Sequence, residues 1–425
     1  MLAKEKKTEN TIFIQIASYR DPQLLLTLKD CIKNAKYPEN LRFGIAWQHD
    51  SKDKWDNLGE YAKDKRFKIL DIDYKKSKGV CWARNQVQQL YNKEKYTMQL
   101  DSHHRFKKNW DDTLIKMLIG LQDDGHEKPL LTSYLPSFDP DNDPAARINV
   151  PWKMNFDRFI PEGAVFFIPA SFDEWDNKKS PLPARFYSAH FAFTLGIFCK
   201  EVQHDPNYYF HGEEISVAVR AFTHGYDLFH PHKVICWHEY TRKGRAKHWD
   251  DDTEWGDRNN ESHARNRKLF QVDGQSKDID FGIYDFGTTR TLRDYEKYSG
   301  LSFRNRSIQK RVIDNKPPPD PETSYLKDKE FDASLLSIFK HCIDIQYGQV
   351  PEDDYEFWAV AFKNKEGVEI YRKDVDKNEI PGMKNDPDGY CKVWREFQTE
   401  SKPASWLVWP YSRSKGWADQ IIGYL

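Results

Sequence analysis

The chain has 425 residues, enough for a sizeable core and two domains. Lys and Arg total 65 against 66 Asp and Glu, a formal net charge of -1, which argues against wholesale nucleic-acid binding. Six scattered cysteines (Cys31, Cys81, Cys199, Cys236, Cys342, Cys391) form no C-x-x-C pair, so they suit a reducing compartment better than a disulfide framework or a zinc site. Met1 to Asn10 is charged and lacks the apolar core of a signal peptide, and no run of about 18 apolar residues follows. A cytoplasmic protein without a membrane span is expected. Aromatic residues make up 15% of the chain, with 14 tryptophans; such rings fill cores and also line sugar sites.

Thr11 to Ala17 reads as a first strand, apolar enough to be buried on both faces, and it breaks at Ser18-Tyr19-Arg20-Asp21-Pro22. Leu25, Leu28 and Ile32 give Leu24 to Asn34 helical spacing. Leu41 to Trp47 and Phe67 to Ile72 are further strands, and Lys78 to Asn85 opens a helix reaching about Tyr91. Tyr96 to Leu100 is a short buried strand, followed by a helix from Trp110 to Leu121 and a strand from Pro129 to Tyr134. This alternation predicts a mostly parallel, doubly wound α/β sheet.

Leu135 to Pro183 is long, Pro-rich and aromatic, the mark of a functional loop or of small strands without a clear period. Phe191 to Phe198 returns to the core; Ile215 to Thr223 is a helix, and Leu228 to Trp237 is expected to close the sheet. Thr241 to Asn266 is strongly charged and expected to be mobile. The proline run Lys316 to Pro321 is the best boundary. It divides a first domain, 1–316, from a linker with an amphipathic helix (Ala333 to Ile343) over 317–344 and a β-rich domain over 345–425. Short strands at Phe357 to Phe362, Val368 to Tyr371, Tyr390 to Phe397 and Ala404 to Trp409 predict a small β-sandwich there.

The chemistry gathers where strands end. Ligands of open α/β sheets lie beyond the carboxyl ends of the strands, and Tyr96 to Leu100 ends in Asp101-Ser102-His103. Alternation points Asp101 and His103 the same way, so a carboxylate and an imidazole can share one divalent cation; equally, Asp101 can cap the helix that follows and His103 can be a solvated loop residue. Arg84, at the helix preceding this strand, is placed to clamp phosphates or a base, unless it makes an ordinary ion pair. Gly212-Glu213-Glu214 sets carboxylates at a helix start, where capping would also explain them. His238 follows the last predicted strand of the sheet.

The order Arg84, Asp101-Ser102-His103, Gly212-Glu213-Glu214, His238 resembles the GT-A glycosyltransferases, and among them the polypeptide GalNAc-transferases. Ser18-Tyr19-Arg20-Asp21-Pro22, Asp101 to Phe106, Trp237-His238-Glu239-Tyr240 and the basic Arg242 to Trp249 segment resemble the cytoplasmic hydroxyproline GlcNAc-transferase family more closely. The resemblance covers roughly residues 11 to 270. It implies a GT-A (Rossmann-like) catalytic domain, a UDP-GlcNAc or related UDP-HexNAc donor, Mn²⁺ (or Mg²⁺), retention at the anomeric carbon, and a protein or glycan acceptor. On that basis Asp101, His103 and His238 hold the metal. Ser18, Tyr19, Arg84, Asp101, Ser102 and Arg242 surround the nucleotide. Glu213 and Glu214, with His190, face the transferred sugar or the acceptor, and Arg242 to Lys247 fold over the diphosphate. Two other readings compete: a non-catalytic carbohydrate-binding protein, suggested by Trp394, Trp406, Trp409 and Trp417, and a polysaccharide-building transferase using a different UDP-sugar.

Overall fold

The computed structural model of the chain describes residues 10–160, 163–319, 327–384 and 388–425. Of the expectations above, the charged start of the chain up to residue 9 and the Asp320-Pro321 end of the proline run lie outside them. The chain forms two compact units: Met1–Asn305 with Arg311–Lys327, and Arg306–Lys310 with Asp328–Leu425. No helix among the described residues is long and apolar enough to cross a membrane.

The first unit is built on an eight-stranded sheet. Its opening strands are β1 (Ile12–Tyr19), β2 (Leu41–His49), β3 (Phe67–Asp73) and β4 (Tyr96–Leu100). The chain continues through a short β5 (His104–Phe106), then β6 (Lys128–Thr132) and a hairpin of β7 (Trp152–Phe159) and β8 (Val165–Ser171). It closes with β9 (Leu182–Pro183), β10 (Phe191–Leu195), β11 (Tyr226–His230) and β12 (Cys236–His238). The sheet order is β3-β2-β1-β4-β10-β6-β11-β9. All pairs are parallel except those made by β10 and β9. Helices Leu24–Asn34 and Trp110–Asp123 bury Leu28, Trp110 and Leu118 against one face, around Ile14, Phe43 and Met98. Helix Val80–Gln88 buries Ala83 and Val87 on the other, against Phe13 and Ala46. Covering both faces explains why β1 and β4 are almost uniformly buried.

Two boundaries differ from the sequence reading. The expected strand Leu228 to Trp237 is two strands, because Pro231 has no N–H to extend a ladder. β11 stays in the sheet, whereas β12 leaves it and pairs antiparallel with β5, setting His238 opposite His104. The Leu135 to Pro183 stretch contains the β7/β8 hairpin, and the charged segment after His238 folds into helices His248–Asp251 and Trp255–Phe270.

The second unit is a small β-sandwich. The expected helix Ala333 to Ile343 is not formed. A helix at Asp328–Ala333 is followed by a strand, Ser337–Gln346, paired with Tyr390–Thr399. Ile343 and Ile345 alternate inward onto Val393, Trp358 and Val360, and this period of two overrides the helical one. The other sheet has six strands, with Tyr355–Lys363 and Ser405–Ser412 at its centre.

Candidate active site

The carboxyl ends of β1 and β4 open into a cavity of about 520 Å³ in the first unit. Its floor is Asp101, which directly follows β4. The β5/β12 ribbon brings His238 beside it, with Glu239 N–H donating to the His103 carbonyl at 3.2 Å. Asp101, His103 and His238 present ligand atoms that all lie within 4.8 Å of one another. Asp101 Oδ2 is 3.7 Å from His103 Nε2 and 3.5 Å from His238 Nε2. These separations are long for hydrogen bonds but fit ligands sharing one ion, whose bonds of roughly 2.0–2.2 Å put neighbours roughly 3–4 Å apart. His238 is buried, and neither of its ring nitrogens has a hydrogen-bond partner. A buried imidazole left bare in this way is costly unless something else binds it. The donor set, one carboxylate and two imidazoles, suits Mn²⁺ better than Mg²⁺.

The residues behind these three were only partly legible in the sequence. Asp21, in the turn after β1, lies 2.7 Å from His103 Nδ1 and accepts from Ser102 Oγ at 2.6 Å, which leaves His103 Nε2 on the Asp101 side. Burial alone would raise the Asp21 carboxyl; His103 and Arg245 override it and hold it far below the usual range. Asp101 is likewise held low against burial by His238, Arg84 and His103. Arg245 reaches Glu239 at 3.3 Å and also meets His103 Nδ1. The Asp-Pro that marks Asp21 as a turn residue was visible; its bond to His103 was not, because 82 residues separate them.

Arg84 lines the cavity but its fork is occupied: Nη2 donates to Asp101 Oδ1 at 2.8 Å and Nη1 to Glu213 at 3.0 and 3.1 Å. Glu213 opens helix Glu213–Thr223 after Gly212, whose φ of 88° favours glycine. Burial would raise Glu213, yet Arg84 and His204 hold it low. Its neighbour Glu214 goes the other way. Burial and the Glu213 charge push it up to about 8, while Tyr134 O–H and Ala189 N–H donate to its two oxygens at 3.0 and 2.9 Å. Burial and the neighbouring Glu213 thus favour its protonated form, against the two donors that favour the charged one.

His190 accepts from Leu135 N–H through Nε2 at 3.1 Å and stacks on His238 with ring centroids 4.2 Å apart. It supports the His238 ring. Tyr19, Ser102 and Arg242 line the cavity; Ser18 does not, and its carbonyl accepts from Gln48. The Arg242 guanidinium lies over the Trp249 ring at 5.3 Å, and helix His248–Asp251 is tied to β1 by Tyr19 O–H donating to Asp251 at 2.7 Å. Phe166 and Phe167 of β8, with Phe210, supply an apolar wall.

A family model described as Glycosyltransferase (GlcNAc) matches residues 11–66 and 56–305, more than half of the chain. No curated protein matches the sequence. Among solved structures, the chain is similar to GalNAc-T7 with UDP, GalNAc and Mn²⁺ at 12% identity and a TM-score of 0.45, over 67% of this chain and 56% of that one. It is also similar to Staphylococcus aureus TarS (10% identity, TM-score 0.37, 98% and 77% coverage). A third likeness is to the mannosyltransferase PcManGT of Pyrobaculum calidifontis with GDP-Man and Mn²⁺ (11% identity, TM-score 0.36, 55% and 58% coverage). The chain thus spans just over half the length of GalNAc-T7 and of PcManGT.

Proposed function

The chain belongs to the glycosyltransferase (GlcNAc) family, and from that premise we propose a metal-dependent, retaining transfer of GlcNAc, or another HexNAc, from a UDP-sugar to a hydroxyl of a protein or glycan. The observation that carries this reading is the Asp101, His103, His238 cluster at the strand ends, with His238 bare of hydrogen bonds. A divalent ion held there, Mn²⁺ in preference to Mg²⁺, would neutralise charge on a leaving diphosphate. Asp21 fixes the His103 ring, and Tyr19, Ser102 and Arg242, which line the cavity, would face a nucleotide bound there. Glu213 is bound to Arg84, and burial with the Glu213 charge disfavours the anionic form of Glu214, so neither reads as a free anionic nucleophile or base. A bond from the acceptor oxygen to the anomeric carbon therefore forms as the bond to UDP breaks, and the hydroxyl proton passes to the departing phosphate. The protein's contribution is then positioning and electrostatic stabilisation.

The motifs at Ser18 to Pro22, Asp101 to Phe106 and Trp237 to Tyr240 support UDP-GlcNAc as the donor and a protein hydroxyl, hydroxyproline first, as the acceptor. Six free thiols, five of them buried, support a cytoplasmic setting. Donor hydrolysis measured across UDP-GlcNAc, UDP-GalNAc and UDP-Glc with Mn²⁺, followed by acceptor screening by mass shift, tests the proposal. Hydrolysis of UDP-GlcNAc that EDTA abolishes is expected. Glycan binding without hydrolysis of any UDP-sugar would instead favour a carbohydrate-binding protein, and labelling of polysaccharide but not protein would move the acceptor class.

A further inference from the structure

Arg84, Asp101 and Glu213 come from three separate elements: helix Val80–Gln88, the end of β4, and the start of helix Glu213–Thr223. They meet in one buried chain of contacts. Arg84 is 5% exposed, and both of its terminal nitrogens are used. Nε is the guanidinium nitrogen with no partner, and it is buried, so the fork that Nε–H and Nη2–H would form is closed to a phosphate.

The contacts divide the Asp101 carboxylate. Oδ1 is taken by Arg84 at 2.8 Å; Oδ2 is the atom set 3.5 Å from His238 Nε2 and 3.7 Å from His103 Nε2. A guanidinium this close to a cation site would by itself repel the cation. Glu213 offsets that charge, since both its oxygens lie within 3.1 Å of Arg84 Nη1. The buried His204 brings Nδ1 to 2.8 Å of Glu213 Oε1, off the hydrogen-bond direction, and closes the far side of the pair. The helix bearing Arg84 is seated by Gly79, where a Cβ would stand 2.9 Å from the Tyr209 ring.

We infer that Arg84 and Glu213 are a positioning pair that presents a single oxygen of Asp101 to the divalent ion, so that two residues that do not ligate the ion set the affinity of its site. This rests on the metal reading proposed above and extends it to residues outside the ligand set. Because the guanidinium is planar, holding Glu213 on one prong fixes the direction of the other and with it the Asp101 rotamer.

The test is titration of Mn²⁺ alone into the purified full-length chain, without nucleotide, by calorimetry or by the electron paramagnetic resonance of free Mn²⁺. Glu213→Gln removes the compensating charge, and Arg84→Lys keeps the charge but loses the fork. Each is expected to weaken Mn²⁺ binding about tenfold or more, the scale seen when partners behind a metal ligand are removed. The double variant is expected to be little worse than the weaker single one, and Glu213→Asp to recover part of the loss. Melting curves check that each variant is folded; if Glu213→Gln is not, Arg84→Lys and Glu213→Asp carry the comparison. Binding within twofold of the parent in the folded variants overturns the inference, as does an Arg84→Lys chain that loses UDP affinity with Mn²⁺ affinity intact. Asp101→Asn separates the two levels. If the parent shows no Mn²⁺ binding that this change abolishes, the metal reading fails; if it does and the pair variants bind as the parent, only the positioning role fails.

Discussion

Arg245 Nη1 lies 2.9 Å from Asp21 Oδ2, joining the segment after β12 to the turn after β1 across the cavity. Both side chains are almost fully buried, at 9% and 2% exposure. The basic segment is therefore not a free flap: its central arginine is part of the wall that orients His103. Arg245→Ala leaves the buried Asp21 and Glu239 carboxylates short of their cation. Such a loss typically costs about 3–5 kcal/mol. A urea midpoint lowered correspondingly, with faster proteolytic cleavage between residues 241 and 251, is the expected outcome.

Metal dependence is checked at the ligands themselves. Asp101→Asn keeps shape but removes the charge, and His103→Ala removes a proposed ligand. Each should lower turnover about 100-fold or more, of the order of 3 kcal/mol, as when one preorganised electrostatic group is lost. Steady-state rates with saturating Mn²⁺ give the answer; near-parental rates in both would refute the ligand set.

Glu214 gives a pH dependence whose sign can be stated. Unfolded, it titrates near the usual glutamate value of about 4.3; folded, burial and Glu213 raise it to about 8. Between those values the folded chain keeps a proton that the unfolded chain has released. This group's contribution to stability is complete below the lower value, falls as pH rises through the window and is lost above the upper one. Glu214 faces the cavity, so water moderates the slope. Glu214→Gln, which mimics the protonated acid, should flatten that part of the profile when denaturation midpoints are compared from about pH 5 to about pH 9.

The second unit is tested through its own core. Trp358 is fully buried among Tyr355, Val360 and Val408. Trp358→Ala should cost about 3–5 kcal/mol. We expect a lowered melting transition for that unit, slow UDP-sugar hydrolysis that survives, and weakened transfer to the acceptor. Loss of donor hydrolysis in the folded variant would show that the unit supports the donor site instead of serving the acceptor.

How far the sequence could be read depended on the range of the interaction. Strands β1, β2, β4 and β6 were legible because burial on both faces writes a short, mostly apolar run. Asp101 and His103 were legible because they follow such a run directly. The Ser337–Gln346 strand was not: Leu335, Leu336, Phe339 and Ile343 also fit a helix, and only pairing with Tyr390–Thr399 decides between the two periods. His238 was found, but on the wrong sheet, since its ribbon partner His104 lies far back in the chain. The partners of Arg84 and the protonation of Glu214 depend on contacts between distant segments, which no local pattern encodes.

The reversed direction of β10 has a further consequence. Phe191 is in register with Leu100, so the start of β10, and not its end, stands beside Asp101. Residues 188 to 190 are thereby delivered to the reacting edge by the strand they lead into, whatever path the chain takes to arrive. The β7/β8 hairpin lies wholly within that path, and Phe166 and Phe167 of β8 line the same cavity. The aromatic wall is thus furnished by an excursion of the chain, whereas Asp101 and the start of β10 are held side by side by the sheet itself.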